Sequence, residues 1–304
     1  MAGNKSDMGF SDLRPQPPRD LSNTREPGPA NAYGEKALEL SRRVAENSRT
    51  VMDIPFGQDY YQKLDLYLPE NKDLCDLPVL IYFHGGAWQH GYKEWNGFMA
   101  PVFTSLPAIF VSASYRLVPE VKFPAPLDDA MESLDWVWRN IASYGGNPNR
   151  IFVGGWSVGA TLASLIVLRL DLYRRYGLPD DVIKACFAAS GGYRYKSDVL
   201  APGNSGKSYG DLMYNCPQDE LLAEPLLYVK GNQTPFYISW ASGDFQHVMQ
   251  SGRDMVDALM NEGCRVESHV FEGMDHYDFN LAHGDPKNKW VQTVCGWMMH
   301  IDYQ

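Results

Sequence analysis

Short, almost unbroken apolar runs separated by helix-length stretches constrain this chain more than any other feature. Residues 79–83, 108–112 and 151–154 are such runs, and 235–241 and 266–271 are two more late in the chain. A strand covered by helices on both faces has no solvent side, so its sequence stops alternating and becomes continuously apolar. Residues 63–68 do alternate, Leu64, Leu66 and Leu68 against Lys63, Asp65 and Tyr67, which predicts a half-exposed edge strand. Helical periodicity is expected over 33–48, with Ala37, Leu38, Leu40 and Val44 facing inward, and over 125–143, 158–173, 247–262 and 288–299. Strands alternating with helices in this way predict a layered α/β domain around a mostly parallel sheet flanked by helices.

Residues 33–304 read as that one domain. Residues 1–32 hold Pro15, Pro17, Pro18, Pro27 and Pro29 among polar residues, too little apolar surface for a core, and read as an arm or loose tail. Residues 190–232 break the alternation, being rich in Gly, Ser, Tyr and Pro, with a short helical patch near 220–228. They read as a small cap-like insertion carrying part of a pocket, or as an ordinary long connection.

The 304 residues carry 27 Lys+Arg against 37 Asp+Glu, a net charge of -10. Such a surface repels phosphate backbones and anionic lipid, so nucleic acid is not an expected partner. Cys75, Cys186, Cys216, Cys264 and Cys295 are odd in number and form no C-x-x-C pair, which fits free thiols in a reducing compartment. No basic-then-apolar leader opens the sequence, and no apolar stretch approaches the ~18 residues of a membrane span. The expectation is a cytoplasmic protein.

The sharpest local signal is Gly155-Trp156-Ser157-Val158-Gly159, directly after the 151–154 run and at the head of a predicted helix. A serine hydroxyl is a weak nucleophile unless it is held where a base can take its proton. A tight strand-to-helix turn holds it so, and glycines two before and two after relieve the crowding. The helix behind points its free N–H groups at developing negative charge.

His84-Gly85-Gly86-Ala87-Trp88 follows the 79–83 run, where glycines let backbone N–H groups face a cavity. Gly86 and Ala87 are candidate oxyanion donors, joined by Val158. His84 reads as a residue that orients this loop. Of ten aspartates between Ser157 and His276, only Asp244 closes an apolar strand-like run, which places it at the same sheet edge as the serine. His276 lies in the loop after the 266–271 run, whereas His269 and His300 lie inside predicted elements. Asp275 and Asp278 flank His276, but no metal-ligand spacing accompanies them, so no metal site is expected. The stretch 203–208 ends like a phosphate loop, but Ala201 stands where the first glycine belongs.

With elbow, loop and acid–base pair in place, residues 50–300 resemble an α/β-hydrolase of the esterase–lipase superfamily. His84-Gly85-Gly86-Ala87-Trp88 and Asp275-His276-Tyr277-Asp278-Phe279 are similar to segments of kynurenine formamidases. Tyr115-Arg116-Leu117-Val118-Pro119-Glu120 and the stretch from Gly145 to Ile151 are instead similar to the hormone-sensitive-lipase type of carboxylesterase. The resemblance implies an α/β-hydrolase fold, Ser157, His276 and Asp244 as a catalytic triad, and acyl transfer without a cofactor. A small-molecule ester, aryl formamide or lactone is the implied substrate. An acyltransferase using the same residues and a non-catalytic small-molecule receptor are the alternatives, and a homodimer is compatible with either. Trp88 and Trp156 are candidates to line a flat pocket; Trp88 would either wall its acyl side or brace the oxyanion loop from behind.

Overall fold

A computed structural model describes residues 28–194 and 208–300. Eight strands form one sheet in the order β1 (Arg49–Pro55), β2 (Lys63–Leu68), β4 (Ile109–Ala113), β3 (Leu77–Phe83), β5 (Gly146–Trp156), β6 (Ile183–Ala189), β7 (Phe236–Gly243) and β8 (Val266–Asp275). The pairs β1–β2 and β2–β4 are antiparallel, and every pairing from β4 through to β8 is parallel. Parallel neighbours need crossovers, and helices lie in these, with one further helix before β1 and two after β8. The helices are α1 (Pro29–Asn47), α2 (Ala100–Thr104), α3 (Ala125–Asn140), α4 (Val158–Leu168), α5 (Leu170–Tyr176), α6 (Tyr209–Met213), α7 (Gln246–Asn261), α8 (His276–Leu281) and α9 (Lys289–His300).

The helices cover both faces, so β3 and β4 are buried throughout. Val79, Ile81 and Phe83 point into the layer of α3, α4 and α7, packing with Leu134, Leu162 and Met255. Leu80 and Tyr82 point into the layer of α1, α2 and α9, with Ala37, Phe103 and Trp290. The two-residue period of a strand thus divides one apolar run between two cores.

Several expectations change in the folded chain. Residues 63–68 are not an edge strand: β2 lies between β1 and β4, and β1 holds the edge. Asp65 is buried there because Lys93 reaches it, with Lys93 Nζ 2.9 Å from Asp65 and Asp53 and 2.6 Å from Glu94. Burial alone would discharge Lys93, but the three carboxylates overcome it and hold its pKa well above the ordinary value. The expected helix over 158–173 breaks at Arg169, whose φ of -93° and ψ of 56° end α4 before α5 begins. The helix over 33–48 starts earlier, at Pro29, inside the proposed arm, and the rest of that arm, residues 1–27, lies outside the described residues. Its buried line is Tyr33, Ala37 and Ser41, one turn apart, whereas Leu38 stays partly open.

The 203–208 stretch lies outside the described residues except for Ser208, as do residues 195–207 of the 190–232 insertion. The described remainder of that insertion packs on the core through Leu212, Met213, Ala223 and Val229. Among the described residues no helix is long and apolar enough to cross a membrane, and no group of His, Cys, Asp and Glu is arranged to hold a metal ion.

Candidate active site

Strand β5 runs through the middle of the sheet, and its last residue is Trp156; Ser157 follows at a sharp turn with φ 57° and ψ -126°. A side-chain-bearing residue held there stores on the order of 1–3 kcal/mol of strain. Its neighbours make the turn obligatory. A Cβ on Gly155 would sit 2.2 Å from the Gly159 carbonyl oxygen, and one on Gly159 would sit 2.1 Å from that of Phe83. The elbow is therefore pressed between β3 and α4, and the Ser157 N–H is tied to the Ala189 carbonyl at 2.8 Å.

Two and three strands from β5, β7 delivers Asp244 and β8 delivers His276, both buried. His276 Nε2 lies 3.1 Å from Ser157 Oγ, and His276 Nδ1 lies 2.7 Å from Asp244 Oδ1. An ionised carboxylate only accepts, so the proton sits on Nδ1 and the Nε2 lone pair faces the serine hydroxyl. Asp244 is held by the Phe245 N–H on Oδ1 at 2.8 Å and by the Ser190 hydroxyl on Oδ2 at 2.5 Å. Asp275, the rival acid, instead caps α8: its Oδ1 accepts from the Tyr277 and Asp278 N–H groups, each at 2.8 Å.

The glycine loop after β3 carries three successive residues of positive φ: Gly86 at 126°, Ala87 at 52° and Trp88 at 67°. Gly86 is obligatory, since a Cβ there would sit 2.1 Å from the His90 carbonyl oxygen. Its own carbonyl is spent on the N–H groups of Gln89 and His90. Val158 is the first residue of α4, so its N–H has no acceptor within the helix. His84 is fully buried, stacked on Tyr115 at 4.3 Å, with Nδ1 donating to the Gly85 carbonyl at 2.7 Å. Burial pushes its pKa down to about 4, so it stays neutral and braces the loop.

Both indoles expected to line a pocket are buried. Trp88 is fully buried, its ring edge-to-face with Phe123 at 4.9 Å and its carbonyl accepting from Val118 at 3.0 Å. Of the two roles open to it, the brace is the one the packing supports. Trp156 is 2% exposed, and its Nε1 donates to the His276 carbonyl at 3.1 Å. The physical reason is shared: at a strand end roofed by helices, a large apolar ring gains more from the core than from an open cleft.

A family profile described as alpha/beta hydrolase fold matches residues 80–280. The chain belongs to the alpha/beta hydrolase fold family. Among its relatives, the kynurenine formamidase of Danio rerio is 32% identical over 238 residues, covering 78% of each chain. The isoprenylcysteine alpha-carbonyl methylesterase of Arabidopsis thaliana is 29% identical over 243 residues, covering 75% of this chain and 56% of its own length. The chain thus spans little more than half of that relative. In the same fold, a hyperthermophilic esterase from Pyrobaculum calidifontis superposes with a TM-score of 0.69 at 22% identity, over 88% of this chain and 90% of its own.

This member of the alpha/beta hydrolase family also uses residues that sequence reasoning did not single out. Tyr33 of α1 lays its ring 4.6 Å from Trp156 and donates its hydroxyl to Asn280 Oδ1 at 2.8 Å. Ser190, at φ 51°, directly follows β6, an apolar run, Ile183–Ala189, that the sequence reading passed over. A hint of it in the sequence is Ser190-Gly191-Gly192, which resembles a strand-end loop.

Proposed function

We propose that this protein is a serine hydrolase that cleaves a small-acyl ester or an aryl formamide through an acyl-enzyme. The observation that carries the reading is the unbroken line from Ser157 Oγ through His276 to Asp244, at 3.1 Å and 2.7 Å. Ser157 Oγ attacks the carbonyl carbon while its proton passes to His276 Nε2. The carbonyl oxygen takes the negative charge and is received by the N–H groups of Gly86, Ala87 and Val158. His276 then gives its proton to the leaving oxygen or nitrogen, and water, deprotonated in turn by His276, releases the acyl group. Asp244 holds the imidazole in the right tautomer and balances the imidazolium. Each proton and electron pair has its partner among these residues, the substrate and water.

The choice of acyl group leans on the relative named kynurenine formamidase, which matches most of both chains. The relative named a methylesterase favours an ester, over a smaller part of its own length. A panel of N-formylkynurenine and phenyl esters from acetyl to hexanoyl decides between them, and kcat/KM is expected to fall as the acyl chain lengthens. A wild type preferring hexanoyl would leave a general carboxylesterase. Ser157→Ala is expected to lower kcat by about 10⁶, and an organophosphorus probe to label Ser157 alone. Activity surviving the substitution, or label on another residue, would overturn the serine mechanism.

A further inference from the structure

Phe245 follows Asp244 directly and is 47% exposed, although it is a large apolar side chain beside the site. Its backbone is fixed on both sides. The N–H is spent on Asp244 Oδ1 at 2.8 Å, and the carbonyl accepts from Val248 and Met249, at 2.9 Å and 3.0 Å, at the start of α7. Its ring centroid lies 4.9 Å from that of His276, tilted by 50°. The ring of His247 lies 5.8 Å from it, nearly parallel at 15°. Two other rings lie against the imidazole: Trp156, at 4.7 Å, is sealed in the core, and Tyr277, at 5.4 Å and edge-to-face, is half-buried, so Phe245 is the most open of the three. Phe245 therefore presents a preorganised, open aromatic surface at the edge of the imidazole.

The chemistry says what meets that surface. The proton taken from Ser157 must reach the leaving atom, so that atom has to come within hydrogen-bond distance of His276 Nε2. Whatever the leaving atom carries then starts beside the imidazole and extends over its surroundings. A flat aromatic group reaches the Phe245 ring there, whereas a one- or two-carbon alkoxide has little surface to lay against it. Two aromatic rings in contact gain attraction beyond their buried area, and a rigid mount spares the entropy of ordering the side chain.

We infer that Phe245 is a specificity-determining residue whose open ring receives the leaving group and selects aromatic alcohols or amines over small alkyl ones. The inference rests on the serine-hydrolase reading above and deepens it on the leaving-group side, which the acyl-length panel does not probe.

The test holds the acyl group constant and varies the leaving group, using phenyl, 2-naphthyl and ethyl acetate. All three esters pass through the same acetyl-enzyme, so differences in kcat/KM report acylation and leaving-group departure alone. In Phe245→Ala the ratio of aryl to ethyl kcat/KM is expected to fall about tenfold, the size of an aromatic face contact. Phe245→Tyr, which keeps the ring, is expected to restore the wild-type ratio. A ratio unchanged in Phe245→Ala, whether activity is kept or falls equally on all three esters, overturns the inference and leaves Phe245 as a shield of His276. So does a Tyr variant that behaves like Ala. Organophosphorus labelling runs alongside: a wild type that is not labelled at Ser157 sinks the serine-hydrolase reading itself, whereas labelling with an unmoved ratio sinks only the role of Phe245.

Discussion

The indole Nε1 of Trp156 donates to the backbone carbonyl of His276 at 3.1 Å, so the residue before the elbow serine holds the loop that carries the imidazole. The two residues are 120 positions apart in the chain, on strand ends separated by β6 and β7. Tyr33 backs this contact from α1, with its ring 4.6 Å from the indole. Serine and histidine are thereby kept in register by a bond that neither of them makes through its own side chain.

Trp156→Phe keeps an aromatic ring but loses that bond and part of the indole's packing. A net hydrogen bond is worth about 0.5–1.5 kcal/mol, so kcat is expected to fall by up to about tenfold with KM little changed. Steady-state kinetics on one phenyl ester reads the split. An unchanged kcat would mean that the loop is held by other contacts.

Asp244 and Asp275 separate by what each oxygen does. Asp244→Asn places an amide against His276 Nδ1, forces the wrong tautomer, and is expected to cost on the order of 10⁴ in kcat. Asp275→Asn keeps an acceptor for the Tyr277 and Asp278 N–H groups and is expected to cost little. Asp275→Ala removes the cap and is expected to lower stability by about 1 kcal/mol. A larger kinetic loss in Asp275→Asn than in Asp244→Asn would reverse the assignment.

Trp88 is buried behind the oxyanion loop, so shortening it should harm every substrate alike. Trp88→Phe is expected to lower kcat/KM by a similar factor for acetyl, butyryl and hexanoyl phenyl esters, because it shifts the backbone donors rather than an acyl pocket wall. Displaced donors of this kind cost about 10²-fold or more when lost outright, which is the upper limit expected here. A flattened chain-length preference would instead put the indole in the acyl pocket.

His283 is fully buried, stacked on Trp290 at 3.8 Å, with its Nδ1 3.3 Å from the Tyr82 hydroxyl. Burial holds its pKa well below the ordinary histidine value. Unfolding below about pH 6.5 therefore takes up a proton at this residue. Its contribution to stability is complete above that pH and is lost as the pH falls toward the depressed folded value. The slope approaches about 1.4 kcal/mol per pH unit for one such group. His283→Phe is expected to remove that slope between about pH 6 and 4.5 in urea unfolding curves. An identical pH slope in variant and wild type would show that the histidine is not buried neutral.

The sequence by itself determined the features whose physics is local. Gly155, Ser157 and Gly159 lie within five residues, and the clash that demands glycine at 155 arises within the elbow itself, although the one at 159 comes from Phe83 on the neighbouring strand. The continuous apolarity of 79–83 and 151–154 likewise announces burial on both faces without knowledge of any partner. The order Ser157, Asp244, His276 follows from which loops end strands.

Only the tertiary structure decided what depends on strand order and on remote partners. Asp65 made β2 look solvent-facing, because its neutralising Lys93 comes from a different segment altogether. β1 carries too little apolar pattern to stand out alone, and it is a strand because β2 offers it backbone partners. Trp88 and Trp156 sit beside the site in sequence, yet their rings turn into the core. The direction an indole takes is set by the space that surrounding elements leave, and no local pattern records that space. The same holds for Tyr33 and Ser190, each of which reaches the site across a gap in sequence that only the folded sheet closes, and for the ring of Phe245, whose place against His276 depends on β7 and β8 being neighbours.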